Sequence, residues 1–284
     1  MILEAVHRTV YTYPSSVRES HNEVRLAPVS DASQTCRDFT LHVSPLTEIF
    51  NYETPGGLVH HFGVRGQHER LEVVARARVE THVSDPFVGV DLLQTDWAFY
   101  EAESTRQAYA EFLCDSPYVR VTPEIRAMAS SMRKDGQTVT DYLIDLNGYL
   151  NGLLTYDPDA THVHSQLDEV LALKAGVCQD YAHLMVACCR AMGIPARYVS
   201  GYLYGGEGIR GEQATHAWLD CVLPDAQWLS LDPTNNLLAN DHHIRVHTGR
   251  DYADAAPFKG IYVGPPSSSL EVSVEVRALF PVGV

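Results

Sequence analysis

The hydrophobic period of the chain changes near residue 97, and this change limits the fold more than any other feature of the sequence. Before it, LEAVHRTVYTY, CRDFTLHVSP, GLVHHFGV and RLEVVARARVETH are rich in Val, Thr, Phe and Tyr, partly alternating, and separated by Pro, Gly, Ser and Asp. That is the texture of antiparallel strands. After DPFVGVDLLQTDW the apolar spacing becomes helical, in RQAYAEFLCDS, TPEIRAMASSMRKDG and VTDYLIDLNGYLNGLL. Thr122 before Pro123, with Glu124 in the first turn, predicts a helix start, and Gly136 a stop. At 284 residues the chain has room for two cores, so an N-terminal β domain over 1–90 and a second domain over 91–284 are expected.

Within the second domain SQLDEVLALKAG predicts a helix, with Ser165 three residues before Asp168 in the spacing of a capping box and Gly176 at its end. Another helix should start near Val177 or Cys178 and run to Met192, where Gly193 and Pro195 stop it. ARYVSGYLYG, THAWLDCVL, QWLSLDP and SLEVSVEVRALF then read as strands. A core of helices followed by a sheet is therefore expected.

The formal charge of −15, from 36 acidic and 21 basic residues, opposes a phosphate-neutralising surface and an anionic membrane. No nucleic-acid or membrane partner is expected. The N-terminus lacks a basic segment leading into an apolar run, and the sequence reads as cytoplasmic. Six cysteines are too few for a disulfide scaffold, and no C-x-x-C pair suggests a zinc knuckle. His162 and His164 near Asp157 and Asp159, and the DHH at 241–243, supply ligand types without a spacing that fixes a coordination shell, so no metal or other cofactor is expected.

Cys188 and Cys189 lie in the apolar body of the predicted helix and read as packing residues. Cys178 sits in its first turn, where unpaired N–H groups and the helix dipole favour a negative charge, as a thiolate nucleophile requires. A base is needed, and the 14 histidines can be sorted by asking which has a carboxylate held beside it. A hairpin closing symmetrically about Pro224 places His216 directly opposite Asp232 on one face, the pair that would orient the ring. A slip of one residue would separate them. The other reading of His216 and Asp232 is a satisfied polar pair at a sheet end; replacing Asp232 by Ala is expected to reduce turnover and leave the fold intact.

At these residues the chain resembles the transglutaminase-like superfamily, in its bacterial branch of cysteine peptidases. The matching stretches run from LTYDPDATHVHSQLDEVLALKAGVCQDYAHLMVACCRAMGIPARYVSGYLYG through THAWLDCVL to WLSLDPTNN, about residues 154–236. TYPSSVRESHNEVRLAP and the strands after it resemble the β domain that precedes the core in this branch; NYETPGGLVHHF departs from the Asp-containing turn and Gly-Asn expected there. The resemblance implies a papain-like α+β core preceded by an antiparallel, β-sandwich-like domain. It implies Cys178 as nucleophile, His216 as general base and then acid, and Asp232 as its orienter. The family chemistry is attack on a peptide or protein amide to give a thioester, resolved by water as hydrolysis or by an amine as acyl transfer. A protein-binding module that keeps the fold without catalysis is the alternative of a different class.

Three supporting positions are weighed against plainer roles. Gln179 either lines the acyl site or is a solvated first-turn residue. Tyr156 either donates a hydrogen bond near an oxyanion or packs in the core. Trp218, two residues after His216, either shields the His–Asp pair or packs in the core. GRDYADAAPFKG, at 249–260, either lines the cleft or is a solvated loop; 157–164, 203–213 and 241–260 are the loops in which specificity would reside. Oligomeric state is not encoded in any of these features.

Overall fold

The computed structural model describes residues 1–82, 96–205, 209–211, 214–224 and 227–279. The first 82 residues form four antiparallel strands: β1 (Ile2–Val24), β2 (Gln34–Ser44), β3 (Ile49–Thr54) and β4 (Gly57–Thr81). β1 pairs with β4 over nearly its whole length, except that the register shifts between Thr12 and Glu19. Pro14 lies in that break, where its missing N–H cannot serve the ladder. The bulge bends the sheet into two halves, with β2 beside one half of β4 and β3 beside the other. Val43 and Val73 from one half and Phe62 and Val64 from the other close a core between them, against which Phe258 and Tyr262 pack.

The second part begins with two short helical turns, α1 (Ala98–Glu101) and α2 (Glu103–Ala108), and two longer helices, α3 (Pro123–Met132) and α4 (Val139–Leu153). Thr122 caps α3 as expected, its hydroxyl accepting from the Ile125 N–H at 3.3 Å, and Thr138 caps α4 in the same way. β5 (Thr155–Tyr156) runs parallel to β6 (Ala175–Gly176), with α5 (Leu167–Leu173) between them. Then come α6 (Cys178–Ala191), β7 (Ala196–Leu203), β8 (His216–Val222), β9 (Trp228–Asp232), β10 (Leu237–Leu238), β11 (His243–Gly249), α7 (Tyr252–Ala255), β12 (Phe258–Val263) and β13 (Ser269–Ala278). The second sheet has the order β10-β9-β8-β7-β11. Every residue of α6 from Cys178 to Arg190 is buried, so this helix is the centre of the domain rather than an amphipathic surface element.

The α+β class holds, and four expectations need correction. Helix α3 stops at Met132, short of Gly136. The last strand does not extend the second sheet: β13 pairs with β1 from Leu3 to Thr12, and β12 pairs with β1 from Glu19 to Val24. Both cover the free edge of β1, which an isolated 1–90 unit would leave exposed, so the first sheet draws strands from both ends of the chain. The expected boundary at 90/91 itself lies outside the described residues. Ser165 does not cap α5, whose N-cap is Gln166 without a side-chain bond; the Ser165 hydroxyl instead accepts from the His162 N–H at 3.2 Å. Nor does Gly176 end α5. The helix stops at Leu173, and Lys174 makes the left-handed turn with φ of 51°. Gly176 is needed for another reason, since a Cβ there would lie 2.4 Å from a carboxylate oxygen of Asp180.

The two sheets meet through β11. Tyr202, Ile244 and Val246 pack with Leu3, Ala5, Ala77 and Val79 in one cluster. Gln34 brackets Arg245, accepting from its N–H at 2.8 Å and donating to its carbonyl at 2.8 Å.

Candidate functional site

The start of α6 is fastened by Asp180, whose carboxylate accepts from the Val177 N–H at 2.8 Å and from the Thr161 hydroxyl at 2.6 Å. Burial raises the proton affinity of this carboxyl group, and these two bonds only partly offset it. Cys178 is thereby held at the helix N-terminus, 8% exposed, with Sγ 3.9 Å from the carbonyl oxygen of Thr215. The next residue, His216, opens β8. Cys178 packs with Ala182, Tyr198, Ala217 and Ala255, with Tyr252 against them.

His216 and Asp232 meet as expected, by a different register. Leu219 pairs with Leu231 and Val222 with Trp228, so the ladder is centred one residue beyond Pro224 and His216 lies diagonal to Asp232. Leu219, Cys221, Leu229 and Leu231 all enter the core beneath α6, and their burial sets the pairing. The shift preserves parity, both side chains stay on one face, and Nε2 of His216 reaches Asp232 Oδ2 at 2.8 Å.

Asp232 is completely buried and fully hydrogen-bonded. Oδ1 accepts from the backbone N–H groups of Thr234 and Asn235, at 3.0 and 3.2 Å. Oδ2 accepts from His216, from the Asn235 side chain at 2.9 Å and from His243 Nε2 at 3.3 Å. Burial would raise the Asp232 carboxyl, but His216 and His243 outweigh it and hold the group well below the usual carboxylate range. For His216 burial would favour the neutral ring; the Asp232 carboxylate and then the Cys178 thiol overcome this and raise it to about 10. The remaining ring nitrogen, Nδ1, is buried and has no hydrogen-bond partner among the described residues. Gly211, at φ of +91°, closes over this nitrogen so tightly that a Cβ there would lie 2.5 Å away.

The supporting residues divide. Trp218 is 1% exposed; its ring lies along His216 with centroids 6.0 Å apart and edge-on to His243 at 5.2 Å, so it covers both imidazoles. Gly201 makes room for it, because a Cβ there would lie 2.4 Å from the indole. Gln179 is not a solvated residue: it is buried and donates to the Val163 carbonyl at 3.1 Å, tying the 157–164 loop to α6. Tyr156 is half-buried against the core, and burial first, then the Cys178 thiol, raises its phenol. The Arg210 guanidinium lies 5.8 Å above its ring.

The 249–260 segment is ordered by packing, not solvated. Asp251 is fully buried, caps α7 through the Ala253 N–H at 2.8 Å and accepts from the Tyr118 N–H at 2.7 Å. His162 and His164 serve local bonds, His164 Nδ1 meeting the Tyr118 hydroxyl at 2.8 Å. His243 was seen in the sequence only as part of DHH; nothing in its spacing marks it as a partner of Asp232, since β11 reaches β9 only across β7 and β8. His216, Asp232 and His243 offer ligand atoms that all lie within 4.8 Å of one another. Their N–H···O contacts would have to open for a cation, whose bonds to such ligands are about 2.0–2.2 Å.

Residues 126–233 match the family model of the Transglutaminase-like superfamily, and residues 3–80 that of the Bacterial transglutaminase-like N-terminal region. An uncharacterized protein of Mycobacterium leprae is 33% identical, covering 98% of this chain and 99% of its own. A protein-glutamine gamma-glutamyltransferase of Pseudomonas aeruginosa is 31% identical over 154 residues, 48% of this chain and 23% of the relative. Among solved structures, a "Putative Cysteine Protease" from Cytophaga hutchinsonii superposes with a TM-score of 0.78 at 21% identity, covering 100% of this chain and 92% of the other. With both of its regions matched in order and a full-length relative beside them, the chain belongs to the transglutaminase-like superfamily.

Proposed function

We propose that this protein hydrolyses amide bonds of a peptide or protein through a thioester on Cys178. The observation that carries the reading is the division of labour on His216: Nε2 is committed to a carboxylate, while Nδ1 is buried, without a hydrogen-bond partner among the described residues, and on the ring that adjoins the thiol. In the proposed cycle the thiol proton already sits on Nδ1 in a resting thiolate–imidazolium pair, and Sγ bonds to the carbonyl carbon. The C–N bond then breaks as Nδ1 returns the proton to the leaving amine. Water, deprotonated by the same nitrogen, attacks the thioester; the acid leaves and the thiol is restored. Asp232 orients the ring and stabilises its charged form, and Trp218 keeps water from the pair. Tyr156 is the candidate donor to the oxyanion, and Gln179, bonded to Val163, acts by holding the cleft wall.

Acyl transfer to an amine is the second reading, favoured by the name of the Pseudomonas relative; the name of the Cytophaga structure favours hydrolysis. No described helix is long and apolar enough to cross a membrane. A cytoplasmic site is proposed from the six free cysteines, four of them buried, which suit a reducing compartment.

The test is labelling by iodoacetamide, followed at each cysteine by peptide mass spectrometry near neutral pH, in the wild type and in His216→Ala. Cys178 should react faster than Cys188 and Cys189, and the variant should lose that advantage. Amide peptides are then incubated with and without a primary amine, with Cys178→Ala as control. Equal turnover by the control, or a Cys178 as inert as Cys188, would replace this reading with a binding module.

A further inference from the structure

We propose that His243 is a positioning residue for the His216–Asp232 pair, and the link through which the N-terminal sheet supports the site. The inference rests on the function proposed above. Asp232 Oδ2 receives two imidazoles, His216 at 2.8 Å and His243 at 3.3 Å. On the other side of the His243 ring, Nδ1 faces the Asn240 N–H at 3.2 Å, a donor only. The Asn240 side-chain oxygen Oδ1, 3.3 Å from the same nitrogen, is already engaged, accepting from the His242 N–H at 3.0 Å. A carboxylate that can only accept on one side and an N–H that can only donate on the other select the neutral ring with its proton on Nε2. Burial acts in the same direction, lowering the proton affinity of His243 against the pull of Asp232.

Among the described residues, the charged and titratable groups that act on this ring are Asp232 from β9, His216 from β8 and His242 beside it. Cys178 acts on His216 from the other side. His243 supplies a fixed, uncharged donor that, with Asn235, stops Oδ2 from turning away from His216. A ring aimed by a fixed carboxylate keeps Nδ1 on the thiol.

The donor is itself held from the N-terminal sheet. β11 begins at His243; the backbone carbonyl of Asp241 just before it accepts from the Thr81 hydroxyl at 2.8 Å. Arg245 just after it is bracketed by Gln34 and also receives the Val29 N–H at 3.2 Å. Further along, the Thr248 N–H donates to the Gly56 carbonyl at 2.9 Å. Residues of β2, β4 and their loops thus fix the strand on which the second imidazole stands.

The experiment compares His243→Gln and His243→Phe in the full chain. The Gln amide can place an N–H near the imidazole Nε2, whereas Phe fills the space without a donor. Turnover of p-nitrophenyl acetate should fall about 10- to 100-fold in kcat for His243→Phe, the loss of one hydrogen bond to a charged group, with KM within about twofold. His243→Gln should recover most of it. A packing role ranks the variants the other way, so Phe performing as well as Gln, or at the wild-type rate, overturns the proposal. A second readout needs no substrate: in ¹⁵N-histidine NMR of the wild type, His243 should be the Nε2–H tautomer at and above neutral pH, and an Nδ1–H tautomer overturns it. If the wild type shows no rapid alkylation of Cys178 the proposed function fails by itself, and the NMR result still decides the role of His243.

Discussion

Removing Asp232 should cost the fold as well as the chemistry. The side chain satisfies five donors in a fully buried place: two backbone N–H groups, the Asn235 amide and two imidazoles. In Asp232→Ala all five lose their acceptor, and the buried His216 ring loses the carboxylate that holds it cationic. Each orphaned buried donor costs about 1–3 kcal/mol, but the losses are not additive, and the amide of half-exposed Asn235 can turn to water. Breaking a buried pair by deleting one partner costs about 3–5 kcal/mol, and we expect that range here. Out of a typical total of about 5–15 kcal/mol this is a large share. Asp232→Asn should fall between, since its oxygen can keep the imidazoles only by turning its NH₂ toward the Thr234 and Asn235 N–H groups.

The assay is urea unfolding, followed by circular dichroism across pH. The folded Asp232 carboxyl lies below its unfolded value, so its contribution is present above about pH 4 and fades as pH falls further. The folded His216 imidazole is raised to about 10, so its contribution is complete below its unfolded value and is lost as pH rises through about 10. From about pH 5 to 6 both are in full force, and the gap between wild type and Asp232→Ala is largest; it then narrows toward pH 10. A loss below about 1 kcal/mol at pH 6, the scale of a surface pair, would refute this account of the site. The sequence-based expectation of an undisturbed fold would then stand.

Gly201→Ala should destabilise by about 1–3 kcal/mol or more, because the new methyl would lie 2.2 Å from the Ile244 carbonyl and 2.4 Å from Trp218; thermal melting checks it, and an unchanged midpoint refutes the close packing described. Any amide hydrolysis by the purified protein should survive chelation. Activity lost to chelator and restored by calcium or zinc would show that the His216, Asp232 and His243 cluster, or another site, holds a working ion.

Much of the site was legible because its signals are local. A cysteine just inside a helix start, a strand opening on histidine and another closing on aspartate are readable from punctuation and period alone, and the structure brings Cys178, His216 and Asp232 together. The face shared by His216 and Asp232 was legible because strand periodicity is two; their pairing was not, because the register follows the burial of Leu219, Cys221, Leu229 and Leu231 under α6. Trp218 on the imidazoles and Gln179 on Val163 were open alternatives until side chains could be placed.

By itself the sequence determined the two textures, the cap of α3, the helix that opens at Cys178 and the order of the chemistry-bearing residues, all of which depend on neighbours a few positions apart. Only the tertiary structure decided that β12 and β13 return to β1, that Gly176 serves Asp180, and that His243 joins Asp232. Those contacts join residues far apart along the chain. They depend on which edges are left unpaired and which faces are buried once the sheets have formed, and no local period records that.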